Sequence, residues 1–290
     1  MKWFALAAFV LLGCGPQRLD SFLYDPLKAP AGGYQLSTAV IPRNEEHFVD
    51  VEPGVTVHIV IAPSFGLSGA TGAHAEVTML YFHGQSNDIG TTWPRIELLY
   101  PLGVNLVAID PRGYGKSTGT PSEPGIHADV QAVWDYLRDD LHLDATRFVI
   151  YGRSLGAAFA TDLASARTPA ALVTESAFTS IADMVRDGAY VDLPPGFVAD
   201  SRWDNLAKIA RMPAPYLAFH GLADDYVRYQ YSQELTAAHA AAFPTATTTL
   251  VLVPGANHGD AHGPPPTLGQ AAYLDDLRTF LRAADARLGF

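Results

Sequence analysis

The chain has 290 residues, of which 48% are hydrophobic, 17% are charged and 11% are aromatic, and its formal net charge is −11. This composition is sufficient to bury a full core, so it excludes a disordered or collagen-like chain, and the length fits one α/β domain. The acidic balance argues against nucleic acid as a partner, and the single Cys excludes an intrachain disulfide and every CxxC motif.

The N-terminus predicts an export signal. Lys2 is followed by an uninterrupted apolar run that is too short to span a bilayer. The run ends in Leu11-Leu12-Gly13-Cys14, which resembles the lipobox of bacterial lipoproteins. This resemblance implies a signal peptide over residues 1–13, diacylglycerol on the Cys14 thiol and a membrane-anchored protein of the bacterial cell envelope. By resemblance to the Gram-negative sorting rule, Gly15 implies the outer membrane. The alternative is an ordinary secretory signal, or a buried apolar segment, with an incidental Cys.

Residues 14–33 are rich in Pro and Gly and predict a flexible tether, and residues 34–290 predict the folded domain. In this domain, short β-rich runs alternate with amphipathic stretches, which specifies an α/β fold with a doubly wound, mostly parallel sheet. The strand candidates are Tyr34–Ile41, Val55–Ala62, Val77–His83, Val104–Asp110, Arg147–Tyr151, Ala171–Glu175, Pro215–His220 and Thr248–Pro254. The helix candidates are Ile96–Leu102, Ile126–Leu141, Leu155–Ala166, Tyr229–Phe243 and Leu268–Leu288.

One interval breaks this alternation. About forty residues separate the strand ending at Glu175 from the strand that begins near Pro215, which is longer than an ordinary crossover and short for a second domain. We therefore predict a small helical lid at about residues 179–212, over the carboxyl edge of the sheet.

The strongest chemical signal is Gly152-Arg153-Ser154-Leu155-Gly156, which stands between a predicted strand and an Ala-rich helix. A nucleophilic Ser needs such a tight strand-to-helix turn, and Gly two residues to either side removes the side chains that would collide. Ser154 is therefore the candidate nucleophile.

A nucleophilic Ser also needs a base and an acid, which follow it in this architecture in the order acid, then base. His258 lies in a Gly-rich loop after the last predicted strand and is the favoured base, with His262 as its competitor. For the acid, Asp224 is favoured because of its spacing after the preceding strand, with Asp225 second and Glu175 third.

The developing oxyanion needs backbone N–H donors. The amide of Leu155, directly after the nucleophile, is the first candidate. Gln85 is the second, because Gly84 allows the chain to bend after the first parallel strand and point the next amide into the site. His83 is interpreted as a residue that stiffens this loop by a hydrogen bond.

Six segments in this order resemble the α/β-hydrolase superfamily, and most closely its small-lid serine hydrolases, which include depalmitoylating thioesterases and serine aminopeptidase-like proteins. They are Phe82-His83-Gly84, residues 110–117, Gly152 to Gly156, residues 175–180, His220 to Asp224 and Gly255 to His258.

This resemblance implies a serine hydrolase that acts on a small-molecule or acylated-protein substrate. We expect cleavage of carboxylic esters or thioesters through an acyl-enzyme, with no cofactor and no metal. The alternatives are a serine peptidase, an acyltransferase, or a non-catalytic envelope lipoprotein or binding module.

Overall fold

The computed structural model describes residues 23–64, 74–188, 200–258 and 268–290, and within them the central element is an eight-stranded sheet. Its strands are β1 (Glu45–Glu52), β2 (Val55–Ala62), β3 (Thr78–Phe82), β4 (Asn105–Asp110), β5 (Phe148–Arg153), β6 (Ala171–Glu175), β7 (Tyr216–Gly221) and β8 (Thr248–Val253). Their order across the sheet is β1-β2-β4-β3-β5-β6-β7-β8. β2 pairs antiparallel with both of its neighbours, β1 and β4, and all other neighbouring strands pair parallel. The sheet is therefore mostly parallel, as predicted.

Helices cover both faces of this sheet. They are α1 (Ile89–Leu99), α2 (Glu123–Asp135), α3 (Leu155–Ala166), α4 (Ile181–Gly188), α5 (Asn205–Ile209), α6 (Tyr229–Ala242) and α7 (Gln270–Ala284). Apolar side chains of α1 and α7 pack on one face, and those of α2, α3, α5 and α6 pack on the other. Because both faces are covered, every residue of β3, β6 and β7 is buried, which explains their near-continuous apolar sequences. No helix in the described ranges is long and apolar enough to cross a membrane.

The prediction of a strand over Tyr34–Ile41 is wrong, and the edge strand is β1 instead. Residues 34–41 have no strand structure, although Ile41 is fully buried and Tyr34 and Leu36 pack partly buried against the core. The sequence of β1 carries four carboxylates, and as an edge strand it is largely exposed, so it lacks the apolar signal of the central strands.

Helix α1 begins seven residues before the predicted start at Ile96. Asp88 caps it by accepting a hydrogen bond from the Thr91 N–H, and the Thr91 hydroxyl accepts one from the Asp88 N–H in return. Pro94 lies inside the helix and made its first turns difficult to recognise in the sequence.

The last part of the predicted tether packs against the domain. Tyr24 is 2% exposed, Lys28 forms a bridge with Gly115, and the Ala29 N–H donates to the Gly115 carbonyl oxygen. Here the structure differs from the prediction, because buried aromatic contacts hold a segment whose Pro and Gly content indicated a flexible chain. Residues 14–22 lie outside the described residues.

The region predicted as a lid contains α4 and α5, and its residues 189–199 lie outside the described residues. Helix α5 packs against α3 and α6, and its Ile209 is fully buried. The C-terminal part of the predicted lid therefore belongs to the helical layer on the sheet, whereas α4 borders a pocket at the sheet edge.

Candidate active site

Ser154 lies in a strained turn between β5 and α3. Its backbone angles are φ 53° and ψ −121°, outside the regions that ordinary residues favour. A Cβ at Gly152 would lie 2.2 Å from the carbonyl oxygen of Gly156, and a Cβ at Gly156 would lie 2.3 Å from the carbonyl oxygen of His83. The two Gly residues are therefore required for the close packing of this turn, as the motif predicts.

The structure brings the three predicted residues together. The Ser154 Oγ lies 3.1 Å from the His258 Nε2, and the His258 Nδ1 lies 3.0 Å from the Asp224 Oδ2. Ser154, Asp224 and His258 come from the loops after β5, β7 and β8, so the shared carboxyl edge of three parallel strands places them. The Asp224 side chain is fully buried and the His258 side chain is 16% exposed.

Asp224 is held as a carboxylate by several donors. Its Oδ1 accepts hydrogen bonds from the Tyr226 N–H at 3.0 Å and the Val227 N–H at 2.7 Å, and its Oδ2 lies 3.3 Å from the His220 Nε2. Burial raises the pKa of Asp224, but the hydrogen bonds of His220, His258 and the Val227 N–H outweigh burial and keep this pKa well below its ordinary value. Asp224 therefore stays charged beside His258.

Both predicted oxyanion donors border the same pocket as Ser154. Leu155 is the first residue of α3, where backbone N–H groups have no partner within the helix. Gln85 follows β3 through Gly84, and a Cβ at Gly84 would lie 3.5 Å from the Ser154 Cβ. The β3 loop thus passes close to the nucleophile.

Comparisons with known proteins show the family to which the chain belongs. Residues 73–203 match the family described as serine aminopeptidase, S33. The uncharacterized Mycobacterium tuberculosis protein Rv2307c is 34% identical over 253 residues, which cover 87% of this chain and 84% of that protein. The alpha/beta hydrolase domain-containing protein aho-3 of Caenorhabditis elegans is 30% identical over 212 residues, which cover 72% of this chain and 58% of that protein. The chain belongs to the α/β-hydrolase superfamily.

Solved structures show the same α/β-hydrolase fold. The superposition on the Pyrococcus furiosus esterase Pf2001 has a TM-score of 0.67 at 19% identity and covers 88% of this chain and 100% of that chain. A Xanthomonas campestris α/β serine hydrolase described as having no lid superposes with a TM-score of 0.55 at 19% identity, over 84% of this chain and 94% of that chain. At these identities the likeness shows the fold alone, and the chemistry depends on the residues of the site.

The two alternative candidates for the acid, Asp225 and Glu175, lie in different environments. Asp225 is exposed at the pocket. Glu175 is buried and pairs with Arg95, whose two terminal nitrogens lie 2.6 and 3.1 Å from its oxygens. The competing base His262 and the predicted lipidation site Cys14 lie outside the described residues.

No role was predicted for His220 from the sequence, although its side chain contacts the proposed acid Asp224. It is 1% exposed, its Nδ1 lies 2.6 Å from the Ser232 Oγ, and its Nε2 lies 2.8 Å from the Val227 carbonyl oxygen and faces Asp224. Its place at the end of β7, four residues before Asp224, is the signal that could have identified it.

His83 agrees with its interpretation as a loop-stiffening residue. It is 3% exposed, its Nδ1 lies 2.8 Å from the Gly84 carbonyl oxygen, and its Nε2 lies 3.2 Å from the Asp110 Oδ1. Among the described residues, no group of three or more His, Cys, Asp or Glu has an arrangement that could hold a metal ion.

Proposed function

We propose that this α/β-hydrolase is a serine hydrolase that cleaves carboxylic esters or thioesters. The observation that carries the proposal is the continuous line of contacts from Ser154 through His258 to Asp224, at 3.1 and 3.0 Å, with Ser154 in the lining of a pocket. Nucleophile, base and acid in this geometry are the elements of acyl transfer.

In the proposed reaction, the Ser154 Oγ attacks the acyl carbonyl carbon while His258 takes the hydroxyl proton. The N–H groups of Leu155 and Gln85 hold the oxyanion of the tetrahedral intermediate. Collapse of this intermediate breaks the bond to the alcohol or thiol, which receives the proton from His258 and leaves an acyl-Ser154 ester. Water, deprotonated by His258, then releases the acid and restores Ser154.

The lining of the pocket favours an ester or thioester over a peptide with a free N-terminus. A carboxylate that binds an α-ammonium group must be available to pair with it, and such a pair contributes little where water reaches it. Within the described lining, Asp187 is bonded to Arg228 and Tyr231, and Asp225 is exposed to solvent. Neither carboxylate fits that role, so aminopeptidase activity is the second candidate and rests on the matching family's description.

A fluorophosphonate probe and a substrate panel test the proposal. We expect labelling of the wild type, no labelling of Ser154→Ala, and faster hydrolysis of p-nitrophenyl butyrate and a butyryl thioester than of an aminoacyl p-nitroanilide. Labelling that persists in Ser154→Ala would reject the assigned nucleophile. A folded protein that neither reacts with the probe nor hydrolyses any substrate would instead support a non-catalytic binding module. A preference for the anilide would support a peptidase.

We also propose that Cys14 carries a lipid that anchors the enzyme in the outer membrane of a bacterial cell. The support is the sequence Leu11-Leu12-Gly13-Cys14 after an apolar run. In a bacterial host, the wild type should incorporate labelled palmitate and sediment with outer-membrane vesicles, whereas Cys14→Ser should do neither. Equal palmitate labelling of the two proteins would overturn the anchor, and sedimentation with inner-membrane vesicles would overturn the location.

A further inference from the structure

The pocket beside Ser154 is built from two walls of different origin. Its volume is about 480 Å³, within the range of pockets that enclose small-molecule ligands. One wall comes from α4, and a second contribution comes from Leu23, far away in sequence. Phe178 and Leu155 add further apolar surface next to the nucleophile.

The wall formed by α4 is apolar and fixed in place. Ile181, Met184 and Val185 line the pocket, and their spacing of three and four residues puts them on one face of the helix. At the end of α4, the Asp187 carboxylate accepts hydrogen bonds from the Tyr231 Oη at 2.6 Å and the Arg228 Nη1 at 3.0 Å. These bonds tie α4 to α6 and keep the apolar face toward the pocket.

The N-terminal wall is anchored by Tyr24, the neighbour of Leu23. The Tyr24 Oη lies 2.6 Å from the Ser201 Oγ and accepts a hydrogen bond from the Trp203 Nε1 at 3.1 Å. The Tyr114 hydroxyl donates to the Tyr24 carbonyl oxygen. Leu23 packs against the hydrophobic core from this anchored position. The N-terminal segment therefore contributes apolar surface to the pocket.

The charges of the pocket disfavour an anionic ligand. Of the described residues that line it, Arg228 is the one cation, and Asp187 already neutralises it at 3.0 Å. Asp225 adds a second carboxylate to the lining. A carboxylate on the acyl chain would meet net negative charge and would lose its water without gaining an ion pair.

We propose that this pocket binds the acyl group of the substrate, that it selects uncharged aliphatic chains longer than acetyl, and that Leu23 of the N-terminal segment is a specificity-determining residue. The inference rests on the proposed function, because the reacting carbonyl must lie at Ser154. It adds the class of acyl group and assigns a binding role to a segment that precedes the sheet.

Chain-length dependence is the first test. Hydrolysis of p-nitrophenyl acetate, butyrate, hexanoate and octanoate is measured for the wild type. Burial of each added methylene should raise kcat/KM by about fourfold until the pocket is filled. A flat profile from acetate to octanoate would overturn the acyl pocket.

Substitutions that fill the pocket are the second test. Leu23→Trp and Met184→Trp should each lower kcat/KM for octanoate by about tenfold or more, with acetate changed by no more than about threefold. Leu27→Trp is the matched control, because Leu27 lies on the same segment, is 39% exposed and does not line the pocket. Octanoate hydrolysis by a folded Leu23→Trp protein at the rate of the Leu27→Trp protein would reject the role of Leu23.

The acyl charge is the third test. The p-nitrophenyl monoester of adipate is compared with p-nitrophenyl heptanoate, a chain of similar length without the carboxylate. The heptanoate should be hydrolysed at least about tenfold faster, because the carboxylate would lose its water among apolar side chains without gaining an ion pair. Equal rates for the two esters would overturn the charge selection.

Fluorophosphonate labelling of Ser154 distinguishes failure of the acyl pocket from failure of the proposed function. A flat chain-length profile in a protein that labels and hydrolyses esters rejects only the acyl pocket. Absence of labelling together with absence of hydrolysis rejects the proposed function itself.

Discussion

The Arg153 Nη2 donates a hydrogen bond to the backbone carbonyl oxygen of His258 at 2.6 Å, and the Arg153 Nε lies 3.5 Å from the Glu175 Oε1. Glu175 is in turn paired with Arg95, and its carbonyl oxygen accepts the Ser154 N–H at 2.8 Å. Glu175 is thus a common anchor for the turn of Ser154 and, through Arg153, for the loop of His258. The variable residue of the Gly-x-Ser-x-Gly motif therefore positions the proposed base.

Arg153→Met should lower kcat by about 10- to 100-fold with a much smaller change in KM, because a small displacement of the base is costly for proton transfer. The rate of fluorophosphonate labelling should fall in parallel. Kinetics on p-nitrophenyl butyrate and the labelling rate measure the effect.

Arg167→Met is the matched control for Arg153→Met. Arg167 also pairs with a carboxylate, Asp135 at 2.7 Å, but it follows the far end of α3. The Arg167→Met substitution should leave kcat unchanged. A lower melting temperature of Arg153→Met with a wild-type labelling rate would show that Arg153 is only structural.

The two adjacent carboxylates of the β7 loop should differ in importance. Asp224→Asn should reduce kcat by a factor on the order of 10³ to 10⁴, because the His258 Nδ1 would lose the charged acceptor that orients it at 3.0 Å. Asp225→Asn should change butyrate hydrolysis by no more than about threefold, since this residue is exposed. Steady-state kinetics on the purified variants check this, and the reverse order would transfer the acid role to Asp225.

The sequence was informative where function depends on the end of a buried strand. Ser154, Asp224 and His258 each follow an apolar run, and parallel strands deliver the loops at their carboxyl ends to one edge. The central strands were predictable for the same reason, because burial on both faces leaves an unambiguous apolar pattern.

The sequence was uninformative where position depends on contacts between distant residues. Arg153 and the carbonyl of His258 are 105 positions apart, and the Tyr24 and Trp203 side chains are 179 apart. No local pattern records such pairs. The exposed strand β1 also lacks an apolar signal, because most of its side chains face solvent.

Gly156 should tolerate no side chain. An added Cβ would lie 2.3 Å from the carbonyl oxygens of both His83 and Phe82, which are backbone atoms of the central strand region. Gly156→Ala should therefore lower the free energy of unfolding by about 1–3 kcal/mol or more, and urea denaturation measures this.

Gly32→Ala is the control for Gly156→Ala, since nothing lies within 4 Å of an added Cβ there. Its free energy of unfolding should stay within about 0.5 kcal/mol of the wild type. Equal stability of the two variants would show that the β5–α3 turn can relax around a methyl group.

Asp110 is a fully buried carboxylate at the end of β4, next to the loop of His83. Its Oδ2 accepts a hydrogen bond from the Tyr34 Oη at 2.7 Å and lies 3.1 Å from the His58 Nδ1, and its Oδ1 accepts the Ile89 N–H at 2.9 Å. Burial raises the pKa of Asp110, but the hydrogen bonds from His58, His83 and Tyr34 outweigh burial and lower this pKa to about 2.

Because the folded pKa of Asp110 lies below the ordinary value of 3.8, its ionised form stabilises the fold above about pH 4, and this stability is lost as the pH falls through about 2. The contribution is about 2 kcal/mol. Urea unfolding of the wild type and Asp110→Asn should show a stability deficit of the variant that shrinks by this amount between about pH 5 and pH 2. The exposed Asp50→Asn control should show no such change, and a deficit for Asp110→Asn that is constant over this range would contradict the linkage.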